Sequence, residues 1–240
     1  MNKFREILND KSDCKIWEKL DNGCFIGTLG YTDENISILQ SLLMSFAEHY
    51  GEDIDYDAAK EELKLYEECG KLFIYFDENM KPISMNGCIY NMNNDTVDFI
   101  SNNGKELKSL YFYGLSTLPE YRGKGACHVL VNYAIQFAKE NGFDFVYART
   151  DLKDSMSEYI MQCGGLEICK DQDMIIAEWV DVTDDKGDYR LHMYMPLNDN
   201  VLIAPKGNFF LADSKTREVL SIDKTNNKVL VKDYNEVPKE

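Results

Sequence analysis

The chain has 240 residues, 44% of them hydrophobic, and a formal net charge of −16. That length fits one large domain or a domain with a small appendage, and that hydrophobic share builds a core, which excludes a disordered chain. The acidic balance argues against a general electrostatic grip on nucleic acid or an anionic membrane; besides aiding solubility, it suits a cationic substrate such as an amine.

The opening stretch MNKFREILND carries charge throughout and lacks the apolar segment of a signal peptide. No charge-free run approaches the roughly 18 residues a membrane helix needs. The seven cysteines (Cys14, Cys24, Cys69, Cys88, Cys127, Cys163 and Cys169) are odd in number and scattered, with no CxxC pair. They read as small apolar residues in a reducing compartment, so a cytoplasmic location is expected. The three histidines, His49, His128 and His192, show no ligand spacing, and no metal site is expected.

In chain order, residues 32–50 read as a helix, with Leu39, Leu42, Leu43, Phe46 and Tyr50 on one face and Thr32 or Asp33 as its cap. A second helix covers 56–69, ended by Gly70 as a C-terminal glycine. KLFIYFD (71–77) and ISMNGCIY (83–90) read as strands joined near Asn79–Pro82, and TVDFIS (96–101) as a further strand. SLYFYGLSTL (109–118) is the longest strand candidate and stops at Pro119. A helix over 123–141 closes at Asn141-Gly142, FDFVYART (143–150) is a strand, and a helix over 153–163 stops at Gly164-Gly165. Strands at 173–183 and 188–196 turn at DDKGD, and VLIAP, NFFLAD, EVLSID and KVLVKD read as a β meander over the tail. The expected fold is α/β (α+β), a mixed sheet flanked by helices. The unit from 109 to 150 is a right-handed strand–helix–strand crossover between parallel strands.

The turn YRGKGACHVL (121–130) lies where that long strand ends and a helix begins. Backbone N–H groups of a helix start point into such a turn, and the helix dipole adds partial positive charge. Gly123 and Gly125 allow close approach of a ligand, and Arg122 and Lys124 add charge. A phosphate or pyrophosphate is the natural guest, against the plainer alternative of a glycine-rich turn with two solvated basic side chains. Neither GxxxxGK[ST] nor GxGxxG is satisfied, which disfavours nucleotide hydrolysis and ordinary dinucleotide binding.

The longer stretch LSTLPEYRGKGACHVLVNYAIQFAKENGF resembles the acetyl-CoA signature of the GNAT superfamily of N-acetyltransferases: a strand, a proline, then Arg/Gln-x-x-Gly-x-Gly/Ala opening a long helix. Pro119, Arg122, Gly125 and Cys127 match, Cys127 standing where the family has Gly or Ala. The order of elements matches over roughly 30–198, most closely over 109–166. The expected organisation is an acetyltransferase domain over 1–198, centrally parallel in its sheet, and a β extension over 199–240 that could extend the sheet, cap the cleft or pair two copies as a homodimer.

The resemblance implies acetyl-CoA held in a split between strands 109–118 and 143–150. It implies pantetheine paired with the backbone of Leu115, Thr117 and Leu118, and pyrophosphate on the N–H groups of Arg122, Gly123, Lys124, Gly125, Ala126 and Cys127, with His128. The thioester oxygen would take a hydrogen bond from N–H near Thr117, and a neutral amine would attack directly in a ternary complex. In the family a tyrosine on the helix after the second strand often protonates the leaving thiolate. Alignment puts Met161 there; Tyr159 is two residues earlier, about 200° around a helix. For the general base Glu48, His49, Asp98, Tyr111, Tyr113 and a water chain stay open, each side chain having an ordinary structural reading beside it. The acceptor expected is a small-molecule amine, with a protein amino group next. A non-catalytic acyl-CoA-binding sensor or interaction module is the alternative from another class.

Overall fold

The computed structural model describes residues 7–8, 14–50, 53–92, 97–101, 104–151, 175–178, 190–198, 201–205, 210–213, 219–223 and 228–232. The elements run β1 (Ile7–Leu8), β2 (Cys14–Lys19), β3 (Phe25–Leu29), α1 (Asp33–Tyr50), α2 (Tyr56–Cys69), β4 (Gly70–Phe76), β5 (Pro82–Tyr90), β6 (Val97–Ser101) and β7 (Ser109–Thr117). A short 3-10 turn (Pro119–Tyr121) leads to α3 (Ala126–Glu140) and β8 (Phe145–Asp151). There follow β9 (Ile175–Glu178), β10 (Arg190–Pro196), β11 (Val201–Pro205), β12 (Phe210–Asp213), β13 (Val219–Asp223) and β14 (Lys228–Lys232). The architecture is the mixed α/β one expected. The helix expected over 153–163, with Tyr159 on it, lies outside the described residues, as does the DDKGD turn.

Cα packing divides the chain into two compact units: residues 1–90 with 112–137, and 91–111 with 138–240. In the first unit the strand order is β1-β2-β3-β4-β5-β7, with antiparallel pairing from β1 through β5. Phe73 of β4 lies opposite Asn86 of β5, so both face one side, and the next residue, Gly87, faces the other. On the first side α3 packs: the Phe73 ring meets Tyr133 at 6.0 Å, Phe137 at 5.4 Å and Trp17 at 5.6 Å between centroids. On the second side lies α2, whose buried stripe is Ala59, Leu63 and Tyr66.

Helix starts follow local chemistry. Thr32 Oγ1 accepts from Asn35 N–H at 3.2 Å and caps α1, and Asp55 Oδ1 accepts from Ala58 N–H at 2.8 Å and caps α2. Gly70 differs from its expected role. Its φ of −160° is extended backbone, and α2 passes straight into β4 without a left-handed cap. The glycine is required by space instead, because a Cβ there would lie 2.1 Å from the Cys88 carbonyl oxygen.

In the second unit β8-β10-β9-β12-β13-β14 are successive antiparallel neighbours, and β11 pairs with β6. Asp144 ties β8 to its surroundings: its carboxylate accepts from Lys108 N–H at 2.8 Å and Asn198 Nδ2 at 3.0 Å. The end of α3 has the expected glycine stop. Gly142 is left-handed at φ +71°, and Phe143 N–H returns to the Ala138 carbonyl at 3.0 Å. No helix among the described residues is long and apolar enough to cross a membrane.

Candidate active site

The end of β7 is fixed from two sides. Leu118 N–H donates to the Ile83 carbonyl at 3.0 Å, so that backbone donor faces β5. Strand alternation then turns the N–H groups of Leu115 and Thr117 to the side away from β5. Ser84 Oγ donates to the Ser116 carbonyl at 2.7 Å, and Ser116 Oγ donates to the Leu42 carbonyl at 2.6 Å. Ser45 Oγ, from α1, donates to the Thr117 carbonyl at 2.9 Å.

Beyond Thr117 the chain turns tightly. Pro119 restricts Leu118 to extended backbone, and Tyr121 N–H closes the 3-10 turn on the Leu118 carbonyl at 2.9 Å. Gly123 and Gly125 have φ of +75° and +84°, the left-handed region that disfavours side chains. A Cβ added at either would meet nothing within 4 Å. Backbone conformation, not crowding, therefore requires glycine here, and the space above the turn is open. The helical ladder of α3 starts with Val129 N–H on the Gly125 carbonyl at 3.2 Å, so the N–H groups of Ala126, Cys127 and His128 precede it. Three backbone donors at the positive end of a helix, reached over two glycines, suit a diphosphate.

Two expectations for this turn need correction. Arg122 N–H donates to the Pro119 carbonyl at 3.2 Å, so the donors open to an anion begin after it. The Arg122 side chain also folds back: Nε donates to the Thr117 carbonyl at 3.1 Å, and one terminal nitrogen to the Ser45 carbonyl and Oγ, each at 3.0 Å. It clamps the turn to α1 and β7. Leu118 likewise differs from expectation, because its N–H is committed to β5. Lys124 and Lys81 add cationic character, their Nζ atoms each lying 4.9 Å from the centroid of the Tyr121 ring. Glu120, 3.4 Å from Lys81 Nζ, is held below the ordinary carboxylate range, chiefly by its own backbone N–H and then by Lys81.

Cys127 sits in the first helical turn, where a thiol is often activated. Here burial dominates and pushes it up to about 12, so it is a packing residue. Glu48 and His49 fall in the last turn of α1, and Asp98 lies on β6 opposite Ala204. Tyr111 is buried and packs on Tyr147 with ring centroids 4.6 Å apart. Tyr113 is 42% exposed, 6.5 Å from the Tyr66 ring. Tyr159 lies outside the described residues.

The sequence reading passed over Ser45, Ser84, Lys81 and a pair on α2, Glu62 and Tyr66. Tyr66 Oη donates to Glu62 Oε1 at 2.5 Å. The pair lies on two glycines of neighbouring strands: a Cβ on Gly87 would lie 2.1 Å from Tyr66 Oη, and one on Gly114 3.1 Å from it and 3.7 Å from Glu62 Oε1. Among the described residues no group of His, Cys, Asp and Glu is arranged to hold a metal.

No curated protein matches the sequence. Among solved structures, one of the NatC complex bound to Gag peptide and CoA matches at a TM-score of 0.52 and 16% identity, covering 73% of this chain and 99% of that one. A GNAT-family acetyltransferase from Staphylococcus aureus Mu50 matches at 0.48 and 16% identity, covering 73% and 99%. The ribosomal-protein-S18-alanine N-acetyltransferase of Escherichia coli matches at 0.47 and 10% identity, covering 75% and 99%. The family model of the GNAT acetyltransferases matches residues 36–159, from α1 past the glycine turn, and with that match the chain belongs to the acetyltransferase (GNAT) family.

Proposed function

We propose that the protein transfers an acetyl group from acetyl-CoA to an amine, by direct attack in a ternary complex. One observation carries this reading: two left-handed glycines, open above, deliver the donors of Ala126, Cys127 and His128 at the start of α3. The diphosphate of CoA is the group these donors suit, with Lys124 and Lys81 as flanking charge. Leu115 and Thr117 have N–H groups on the side of β7 away from β5, where an extended pantetheine could pair as an added strand and the thioester oxygen could accept. CoA in the NatC complex, which shares the fold, is consistent with this. With 42 acidic against 26 basic residues, a cationic small-molecule amine is the favoured acceptor.

The test compares the parent with Gly125→Asn. Asparagine tolerates left-handed backbone, so the turn keeps its shape while a side chain enters the open space. CoA binding by calorimetry and thiol release with acetyl-CoA are followed for spermidine, kanamycin and a short peptide with a free amino terminus. Binding and turnover by the parent, both weakened at least tenfold in the variant, are expected. Binding without turnover of any acceptor would favour the acyl-CoA sensor. No CoA binding by the parent would overturn the reading of the turn.

A further inference from the structure

We propose that Glu62 is the general base that deprotonates the acceptor amine, with Tyr66 as its positioning residue. This rests on the acetyltransferase reading and goes beyond it, since β7 carries no carboxylate.

The geometry sets Glu62 apart from the other carboxylates of α2. Its Oε1 lies over Gly114 of β7, 3.7 Å from where a Cβ would be. Leu115 is the next residue, and Thr117 is about 10 Å from Gly114 along the strand. That span accommodates an acetyl carbon, an attacking nitrogen and one water, within the reach of a general base. The Tyr66 hydroxyl holds the carboxylate in place, and Gly87 and Gly114 make room for both. Among the described residues, the titratable groups that act on Tyr66 besides Glu62 are Tyr113 on β7 and Cys88 on β5, neither of them cationic. Burial pushes the Glu62 carboxyl above its ordinary range, and the Tyr66 hydrogen bond opposes this. A carboxylate made more basic by partial desolvation is suited to accept a proton near neutrality.

The step balances. The acceptor ammonium gives one proton to the Glu62 carboxylate. The neutral nitrogen attacks the thioester carbon, and an N–C bond forms. The C–S bond breaks with its electron pair going to sulfur, and the second nitrogen proton ends on that thiolate. Glu62 then returns its proton to water. The sum is ammonium plus acetyl-CoA giving amide, CoA thiol and a proton.

The experiment measures kcat/KM against pH for the parent, Glu62→Gln and Tyr66→Phe, with the fastest acceptor among spermidine, kanamycin and the peptide, and CoA affinity alongside. Glu62→Gln is expected to lower kcat about 100-fold, within the usual range for a lost base, and to remove the acidic limb of the profile, with CoA affinity unchanged. Tyr66→Phe loses a bond that favours the carboxylate, so its acidic limb should move to higher pH. A purely structural pair would lower stability without moving either limb.

A second readout needs no turnover. A carboxyl raised in the fold makes the folded state bind that proton more tightly than the unfolded one, so the contribution of Glu62 to stability falls as pH rises above about 4.5. Glu62→Gln should therefore gain stability relative to the parent across that rise, read as its urea midpoint at pH 4 and pH 7. Parent-like kcat and limb in Glu62→Gln would overturn the base assignment and leave the acetyltransferase reading standing. A parent that binds CoA and acetylates nothing would overturn both.

Discussion

Gly87→Ala is the sharpest probe of how α2 meets the sheet. The new methyl would lie 2.1 Å from both Cζ and Oη of Tyr66 and 2.5 Å from Cε1. Carbon atoms rest at about 3.5–4.0 Å, so the ring must retreat by about 1.5 Å. Tyr66 is only 2% exposed, and its hydroxyl is bonded to Glu62, so the retreat is neither free nor local. Overpacking costs about 1–3 kcal/mol, and loosening a hydrogen bond to a carboxylate adds to it, which places the variant near 3 kcal/mol. For a chain of this length that is a fall in Tm of about 6–12 °C. Tyr66→Ala alone should cost about 3–5 kcal/mol, as for other buried aromatics. In the double variant the methyl meets no ring, so its cost should be close to that of Tyr66→Ala alone. The cycle, measured by urea unfolding, should show a coupling of about 2–3 kcal/mol. Additivity within about 0.5 kcal/mol would mean that the ring does not rest on Gly87, and the geometry argued for Glu62 would go with it.

Other consequences are checked more simply. Arg122→Ala removes the donors to Thr117 and Ser45 and should cost about 1 kcal/mol in urea unfolding, with a coupling to Ser45→Ala; a fully additive pair would refute the clamp. Among the described cysteines, exposed Cys69 should be alkylated by iodoacetamide at pH 8 well before Cys127, whose thiol is pushed up to about 12 by burial; peptide mapping by mass spectrometry reads the order. Trp17→Ala should cost about 3–5 kcal/mol, since Trp17 is 5% exposed, stacks on Tyr133 and meets Phe73 edge-to-face; a loss under 1 kcal/mol would refute its place in the core.

Periodicity made the helices and the central strands legible, because α1, α2 and α3 each bury one face and carry their own caps or stops. The β2–β3 hairpin escaped that reading for a local reason. A bulge between Ile16 and Glu18 breaks the alternation, so Ile16 and Trp17 are buried side by side. The turn did leave a signal in Asn22-Gly23: Gly23 is left-handed at +86°, and Asn22 Oδ1 accepts from Cys24 N–H. The glycine turn was legible because φ and motif spacing are local properties. The direction of Arg122 was not, since it depends on Ser45, 77 residues away. Glu62 reads as one more acid on a charged helix until Gly87 and Gly114 are brought beneath it.

The Arg122 clamp also bears on what the end of β7 can offer a ligand. Strand alternation turns both the N–H and the carbonyl of Thr117 to the side away from β5. The carbonyl already accepts from Ser45 Oγ and Arg122 Nε. Those two donors draw electron density toward the carbonyl and occupy its lone pairs. The Thr117 carbonyl is therefore not left to compete as an acceptor with its N–H. Such an edge favours an oxygen on which negative charge grows over one that must also donate. The same residue that fixes the glycine turn thus sets the polarity of the strand before it. In the proposed reaction, diphosphate binding and thioester polarisation are joined through one guanidinium that need touch neither group.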